Sequence, residues 1–533
     1  MNIATVILIL VLMIYTVIKS KKAMHMLQQN LYNDGNRYLK WIRKNLRSAF
    51  LGIDVPAFLC LIGNDVFKLN ILIYIAIVIY IIGVFIVCRS NKKEKTQMKK
   101  PLVVTARVKR LIVTATMVYL IPVVCCYFFK EQTNLLLVIL ATITYLVYFY
   151  LWCINILNKP IEKCVYYIFY FQATSKLKSM KRLKVIGIAG SYGKTSSKNI
   201  LSDILNVKMI ARPTLRNLNT EYGLMMSINN HLDKFDEVFI AEMGAYKRGE
   251  IKKLCNMVHP SYGILTTIGT AHLESFGNEE NIQKAKFELI ESLPKNGIGI
   301  LNGDDPKQVS YQLKNTCRIV WIGIDNRDVD VYADNIKCSS NGSTFDCHFK
   351  GDAKAYSFET KLLGNHNIYN ILASIALAKE LGMTVSEIQT GVHKVRPVKH
   401  RLEMKEIGNI HMIDDAYNSN PVGAKKALEV LKMMPGTKVV VTPGMIELGE
   451  KEDEYNKTFG TEIAEVADYV ILIGEKKTKA IYEGLLEKKY DKDKIYILND
   501  VKESFKLVES FKGKEDIFAL YENDLPDSYN EKK

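Results

Sequence analysis

The sequence predicts an α/β fold preceded by transmembrane helices. A bundle of apolar helices comes first, then a central domain with a parallel sheet, then a smaller Rossmann-like α/β domain. Three observations carry this. The first 155 residues hold long, nearly uncharged apolar runs. From residue 184 onward, short apolar strands alternate with helical patterns, which is how a parallel sheet covered on both faces reads. The segment Gly190-Ser-Tyr-Gly-Lys-Thr-Ser196 follows the first of these strands and opens a helix.

Charge separates the two halves. The 533 residues carry a net +16. Residues 1–186 hold 26 Lys/Arg against 6 Asp/Glu, and the remainder holds 46 against 50. The basic excess lies beside the apolar runs, so it does not argue for nucleic-acid binding by the α/β part. The ten cysteines form no C-x-x-C pair, and several lie in apolar runs, which reads as reduced packing cysteine.

The runs 3–18, 49–66, 71–88, 111–129 and 134–154 are read as five membrane helices. The run 49–66 is the weakest, interrupted by Asp54, Pro56 and Asp65. Residues 19–47 carry eight Lys/Arg and residues 89–110 carry nine, and both loops should face the cytoplasm. Five spans place them on one side, with the N-terminus outside and residue 156 onward in the cytoplasm, so a multi-pass protein of the cell membrane is expected. Residues 156–183 mix aromatics with lysines and read as an amphipathic linker. The central domain is expected over 184–399 and the C-terminal domain over 400–533.

Within the central domain, Gly190 and Gly193 let the backbone curl around an anion, and the helix behind them points free N–H groups at it. Lys194 supplies charge for the β/γ-phosphates and Thr195 a hydroxyl for Mg²⁺, which makes ATP the expected substrate. Strand 237–241 leads to Glu242, strand 262–267 to His272, and helix 279–293 carries Lys286. Ligands of open α/β sheets bind at the carboxyl ends of strands, where the glycine loop, Glu242 and His272 are all expected. Residues 320–360 read as β-rich, with a hairpin at 340–343.

The ordered motifs GSYGKTS (190–196), TLRNLNTEYG (214–223), AEMGAYKRGEI (241–251), TTIGTAHLESFG (266–277), AKFEL (285–289), LNGDD (301–305), GNHNIYN (364–370), HRLE (400–403), DDAYNSNP (414–421) and MIELG (445–449) resemble the Mur ligases, nearest the MurF type. The resemblance implies an ATP- and Mg²⁺-dependent amide ligase of peptidoglycan precursor or related envelope synthesis. It would work through an acyl phosphate that an amine then attacks. Gly190, Ser191, Gly193, Lys194, Thr195 and Ser196 would cradle the phosphates. Asn367 and Asn370 would contact adenine, and Arg401, Asp415 and Asn418 would reach the nucleotide from the C-terminal domain. Thr195, Glu242, His272 and Lys286, the last as a carbamate, would hold metal. Lys194, His272 and Lys286 would be catalytic.

The acceptor is then a muramoyl-peptide-like carboxylate, UDP- or lipid-linked, and the amine an amino acid or dipeptide. Membrane helices stand where this type carries a UDP-binding domain. His400 stands where glycine is common, and Ala519–Asp527 replaces a Lys-Gly-Ser loop. Alternatives are a poly-γ-glutamate synthase-like membrane ligase, which the DDAYNSNP segment disfavours, and a non-catalytic membrane scaffold, which the intact lysines disfavour.

Overall fold

The computed structural model describes residues 3–30, 32, 37–50, 52–67, 69–95, 102–129, 132–339, 342–416, 419–446, 448–511 and 516–524. They divide into two compact units at Ile168/Phe169, inside the helix Lys159–Ser179. This helix lies within the segment 156–183 read as a linker. It exposes Tyr167, Ile168 and Phe171 beside lysines.

The first unit is helical. Three of its described helices are long and apolar enough to cross a bilayer: Ile3–Gln29, Ile71–Asn91 and Ala106–Cys125. The expected span 134–154 is instead two helices, Thr133–Tyr145 and Val147–Leu157, bent by 88°. They pass as one span only if the bend is counted within it, so the five expected spans become three or at most four. Just before the bend, the Thr142 and Thr144 hydroxyls donate to carbonyls one turn back. Such bonds loosen the helical ladder and favour bending. The run expected at 49–66 forms a helix at Asp54–Phe67, 14 residues, about 21 Å long. That is short of the roughly 30 Å of a hydrocarbon core.

Asp54, read as an interruption, begins that helix and is buried. It accepts hydrogen bonds from Lys19 Nζ and Tyr15 Oη, each at 2.7 Å. Lys19, read as part of a basic loop, is therefore inside the first helix. Beside it Thr16 Oγ1 bonds Thr144 Oγ1 at 2.7 Å, a polar tie across the bundle.

The second unit contains two sheets. The first has the order β2-β3-β1-β4-β5-β6-β7-β8-β9. Its strands are β1 (Lys184–Ala189), β2 (Ala211–Pro213), β3 (Val238–Glu242), β4 (Tyr262–Leu265), β5 (Ile298–Asn302), β6 (Arg318–Gly323), β7 (Val331–Ser339), β8 (Gly342–Phe349) and β9 (Tyr356–Thr360). The first seven pair in parallel, and β7-β8-β9 is antiparallel. The expected hairpin joins β7 to β8, with residues 340 and 341 outside the described set. Strand β1 is buried along almost its whole length, as a central parallel strand must be. At Gly187 a Cβ would collide with Leu289 of the helix Glu279–Glu291. Glycine there lets that helix lie close on β1, which fixes where Lys286 stands.

The second sheet has the order β10-β11-β15-β12-β13-β14. It is built from β10 (Glu403–Ile407), β11 (Ile410–Asp415), β12 (Thr437–Thr442), β13 (Tyr469–Ile473), β14 (Ile495–Leu498) and β15 (Ile517–Glu522). All pairs are parallel except β10–β11.

Candidate active site

The glycine loop leaves β1 at Ala189. Gly190 has φ 149° and Gly193 has φ 80°, both in the region that favours glycine. A Cβ on Gly190 would collide with Thr266, and one on Gly193 would press on Asn370. The loop is strapped to the segment after β4. Ser191 N donates to Thr267 O at 2.9 Å, Thr266 Oγ1 donates to Tyr192 O at 2.6 Å, and Ser191 Oγ donates to Gly269 O at 3.1 Å. Behind it the helix Lys194–Leu205 begins, with Thr195 and the partly exposed Ser196 in its first turn.

Lys194 folds back, donating from Nζ to Gly190 O at 2.8 Å and Ser191 O at 3.1 Å. Its ammonium thus lies inside the loop. Desolvation pulls its pKa down to about 8, Glu242 partly restores it, and the nearby charge of Arg401 lowers it further. An anion in the loop would relieve that desolvated charge.

Glu242 ends β3 and is 1% exposed. Its Oε1 accepts from Thr195 Oγ1 and from Asn219 Nδ2, each at 3.1 Å. Asn219, which could pass for a turn residue, is held here because Gly244 N donates to its carbonyl at 2.8 Å. Lys198 Nζ lies 3.0 Å from Oε2, yet off the hydrogen-bond direction, so Oε2 makes no hydrogen bond.

Lys286 is 2% exposed and stands over the Phe276 ring at 5.3 Å. Burial first, then the charge of Lys194, lowers its pKa to about 7. His272 follows β4 with φ 61° and packs its ring 4.5 Å from that of Tyr246. Among the described residues no three His, Cys, Asp or Glu side chains cluster as metal ligands. The fit to Mg²⁺ therefore rests on Glu242 and the Thr195 hydroxyl. A buried carboxylate with an oxygen that accepts no hydrogen bond, beside a phosphate loop, suits this hard cation, which takes few protein ligands and keeps phosphate and water oxygens.

Asn370 and Asn367 are buried beneath the loop. Asn370 Oδ1 accepts from Ser197 Oγ at 2.8 Å, and Asn367 Nδ2 donates to Leu363 O at 2.9 Å. In this structure Asn370 buttresses the loop and its helix, and Asn367 accepts from Asn370 Nδ2 at 3.4 Å behind it.

From segments around the second sheet, Arg401 just before β10 and Tyr455 in the helix Glu452–Ala464 come within electrostatic range of Lys194 and Tyr192. Asp415 ends β11, directly beside Glu522 at the end of β15. Burial pushes Asp415 up to about 6, partly opposed by Arg401, and pushes Glu522 well above the usual carboxylate range. Ser419 Oγ donates to Glu522 Oε1 at 2.5 Å. His400, in the place where glycine is common, has φ 60° and pairs with Asp414 at 2.8 Å. Asn523 has φ 73° and donates to Gly444 O at 2.6 Å. Asn418 lies outside the described residues, and Asn420 caps the helix Pro421–Lys432.

Lys198 and Glu522 escaped the sequence reading. The signal for Lys198 was its place one turn after Lys194. For Glu522 it was a carboxylate at the carboxyl end of an apolar strand.

Residues 188–378 match the Mur ligase middle domain, and residues 400–520 the Mur ligase glutamate ligase domain. UDP-N-acetylmuramoyl-tripeptide--D-alanyl-D-alanine ligase of Bacillus subtilis is 29% identical over 341 residues, 63% of this chain and 72% of that protein. Its Escherichia coli counterpart is 33% identical over 55% of this chain and 65% of that protein. The chain thus spans about two thirds of the length of these curated relatives. MurF from Acinetobacter baumannii superposes with a TM-score of 0.61 at 25% identity, covering 68% of this chain and 78% of that one. MurF from Thermotoga maritima in complex with ADP gives 0.60 at 26%, covering 67% and 80%. With both domain models matched in order over the two sheets just described, the chain belongs to the Mur ligase family.

Proposed function

We propose that the protein is a MurF-type, ATP-dependent amide ligase of peptidoglycan precursor synthesis, held at the membrane by its apolar helices. The observation that carries this is the convergence of a strapped glycine loop, a buried Glu242 and two desolvated lysines. The relatives' names supply the substrates to try first: UDP-N-acetylmuramoyl-tripeptide and D-alanyl-D-alanine.

The central difficulty of the reaction is charge, because an anionic carboxylate must approach an anionic γ-phosphate. Lys194 and the N-terminus of the helix Lys194–Leu205 offset that repulsion where it develops. Mg²⁺, held by Thr195 and Glu242, would neutralise phosphate charge. Asn370 and Thr266 keep the loop shaped before the nucleotide arrives, so little is lost in ordering it. Arg401 approaches from the second sheet, so its position depends on the two domains being closed. The carboxylate attacks the γ-phosphorus and ADP leaves. The amine then attacks the acyl phosphate, loses a proton, and phosphate departs as the amide forms.

Lys286 suits the carbamate role that the family resemblance implies. With a pKa near 7 it is substantially neutral at neutral pH. A neutral amine adds CO₂, forming an N–C bond and releasing one proton, so the neutral side chain becomes an anion. An anion there attracts Lys194 instead of repelling it.

The three apolar helices favour a second reading of the acceptor, a lipid-linked carboxylate presented at the bilayer. The test uses the full chain in detergent with ATP, Mg²⁺ and D-alanyl-D-alanine. Phosphate release is followed with UDP-linked and lipid-linked acceptors in turn, with mass analysis of the product. A new amide with either acceptor supports the ligase. No ATP turnover with any acceptor would falsify it.

A further inference from the structure

Lys198 is 1% exposed. A buried ammonium requires a counter-charge and acceptors, and leaving either partner alone is costly. Glu242 Oε2 supplies the charge at 3.0 Å, and the carbonyl of Arg216 accepts the hydrogen bond. Arg216 has φ 45°, an unusual conformation for a residue with a side chain. The lysine thus joins the first helix of the glycine loop, the end of β3 and the 214–220 segment.

The two oxygens of Glu242 are treated differently. Oε1 is oriented by the Thr195 hydroxyl and the Asn219 amide. Oε2 is only charge-balanced, because the ammonium lies off its hydrogen-bond direction. A carboxylate held this way keeps its orientation if the ammonium withdraws. A divalent cation reaching Oε2 meets a positive charge about one contact distance away, and the two repel strongly in a buried site.

We propose that Lys198 is the resident counter-ion of Glu242, a positioning residue that balances the carboxylate in the nucleotide-free protein and competes with the incoming divalent cation for it. Lys198 thereby sets the cation concentration at which the site fills. This rests on reading Glu242 as a cation ligand.

The experiment titrates Mg²⁺ into the nucleotide-free full chain in detergent, by calorimetry and by thermal unfolding. Lys198→Met should bind Mg²⁺ at least about tenfold more tightly than the wild type, with a larger Mg²⁺-dependent rise in Tm. Lys198→Arg should behave as the wild type. Adding Glu242→Gln to Lys198→Met should remove the gain. Equal Mg²⁺ responses in the wild type and Lys198→Met, or a gain that survives Glu242→Gln, overturn the proposal. If Lys198→Met does not fold without cation, refolding yield replaces affinity. A yield that rises with Mg²⁺ and is restored without it by Glu242→Gln supports the proposal, and a yield indifferent to both overturns it. Wild-type turnover with ATP reports separately on the ligase reading, so the two can fail independently.

Discussion

Both units bury lysines, and Lys19 of the first contrasts with Lys194 and Lys286 of the second. In the helical unit Lys19 meets Asp54 at 2.7 Å, and Tyr15 completes the carboxylate. That charge is locally cancelled. In the ligase unit Lys194 acts on Lys286 as a like charge, and both lysines lose proton affinity on burial. The first arrangement ties helices together. The second leaves positive charge that nothing in the protein fully balances, which a nucleotide phosphate can balance. An incompletely compensated buried cation beside a phosphate loop therefore points to chemistry, whereas a compensated one is architecture in Lys19 and part of the site in Lys198.

The comparison breaks most visibly at Lys194. Lys194→Ala should lower ATP-dependent phosphate release by about 10²–10³-fold, the scale of removing one preorganised charge from a transition state. Its unfolding midpoint should not fall, because the lost charge was desolvated. Turnover within a fewfold of the wild type would place phosphate binding elsewhere.

Next in size is the helical unit. Asp54→Asn leaves the Lys19 ammonium buried without its counter-charge and should cost about 3–5 kcal/mol. Removing both charges, with Lys19→Met and Asp54→Leu together, should cost far less. Denaturant unfolding in detergent measures both, and equal losses in the single and double variants would mean the pair is not the tie.

The smallest effect is a pH slope. Lys286 titrates near 7 in the folded protein and near its ordinary, higher value when unfolded. Between those values the unfolded chain binds more protons, so stability rises with pH from about 7 to about 10. Lys194, pulled to about 8, adds a slope of the same sign over a narrower window. Lys286→Met should flatten the rise in Tm across pH 7 to 9 without erasing it. The same variant should lose ligation, and Lys286→Ala should regain part of it with small carboxylic acids. An unchanged slope would mean that Lys286 is not neutralised by burial.

Much of the candidate site was legible because its chemistry is local. Gly190, Gly193, Lys194 and Thr195 lie within six residues, and their spacing alone dictates a loop that binds phosphate. Glu242 was legible as a residue at a strand end, whereas His272 lies seven residues beyond β4 and caps the short helix Leu273–Phe276. Asn370 was harder. Its motif marks it, but its hydrogen bond to Ser197 joins residues 173 apart in sequence. Lys198 and Glu522 depend on pairings between distant elements that no short window contains. The helical unit was misread at 134–154 for a related reason: hydropathy reports whether a run avoids water, and does not report a bend.

By itself, the sequence determined the apolar and polar halves, the order of strands and helices, and the phosphate loop. These follow from hydrophobic periodicity and from what glycine permits, which act over a few residues. The tertiary structure alone decided which buried charges are cancelled. Lys19 and Lys198 found carboxylates 35 and 44 residues away, while Lys194 and Lys286 came to stand near one another. Electrostatic energy depends on distance in space and on desolvation, and only the folded chain sets either.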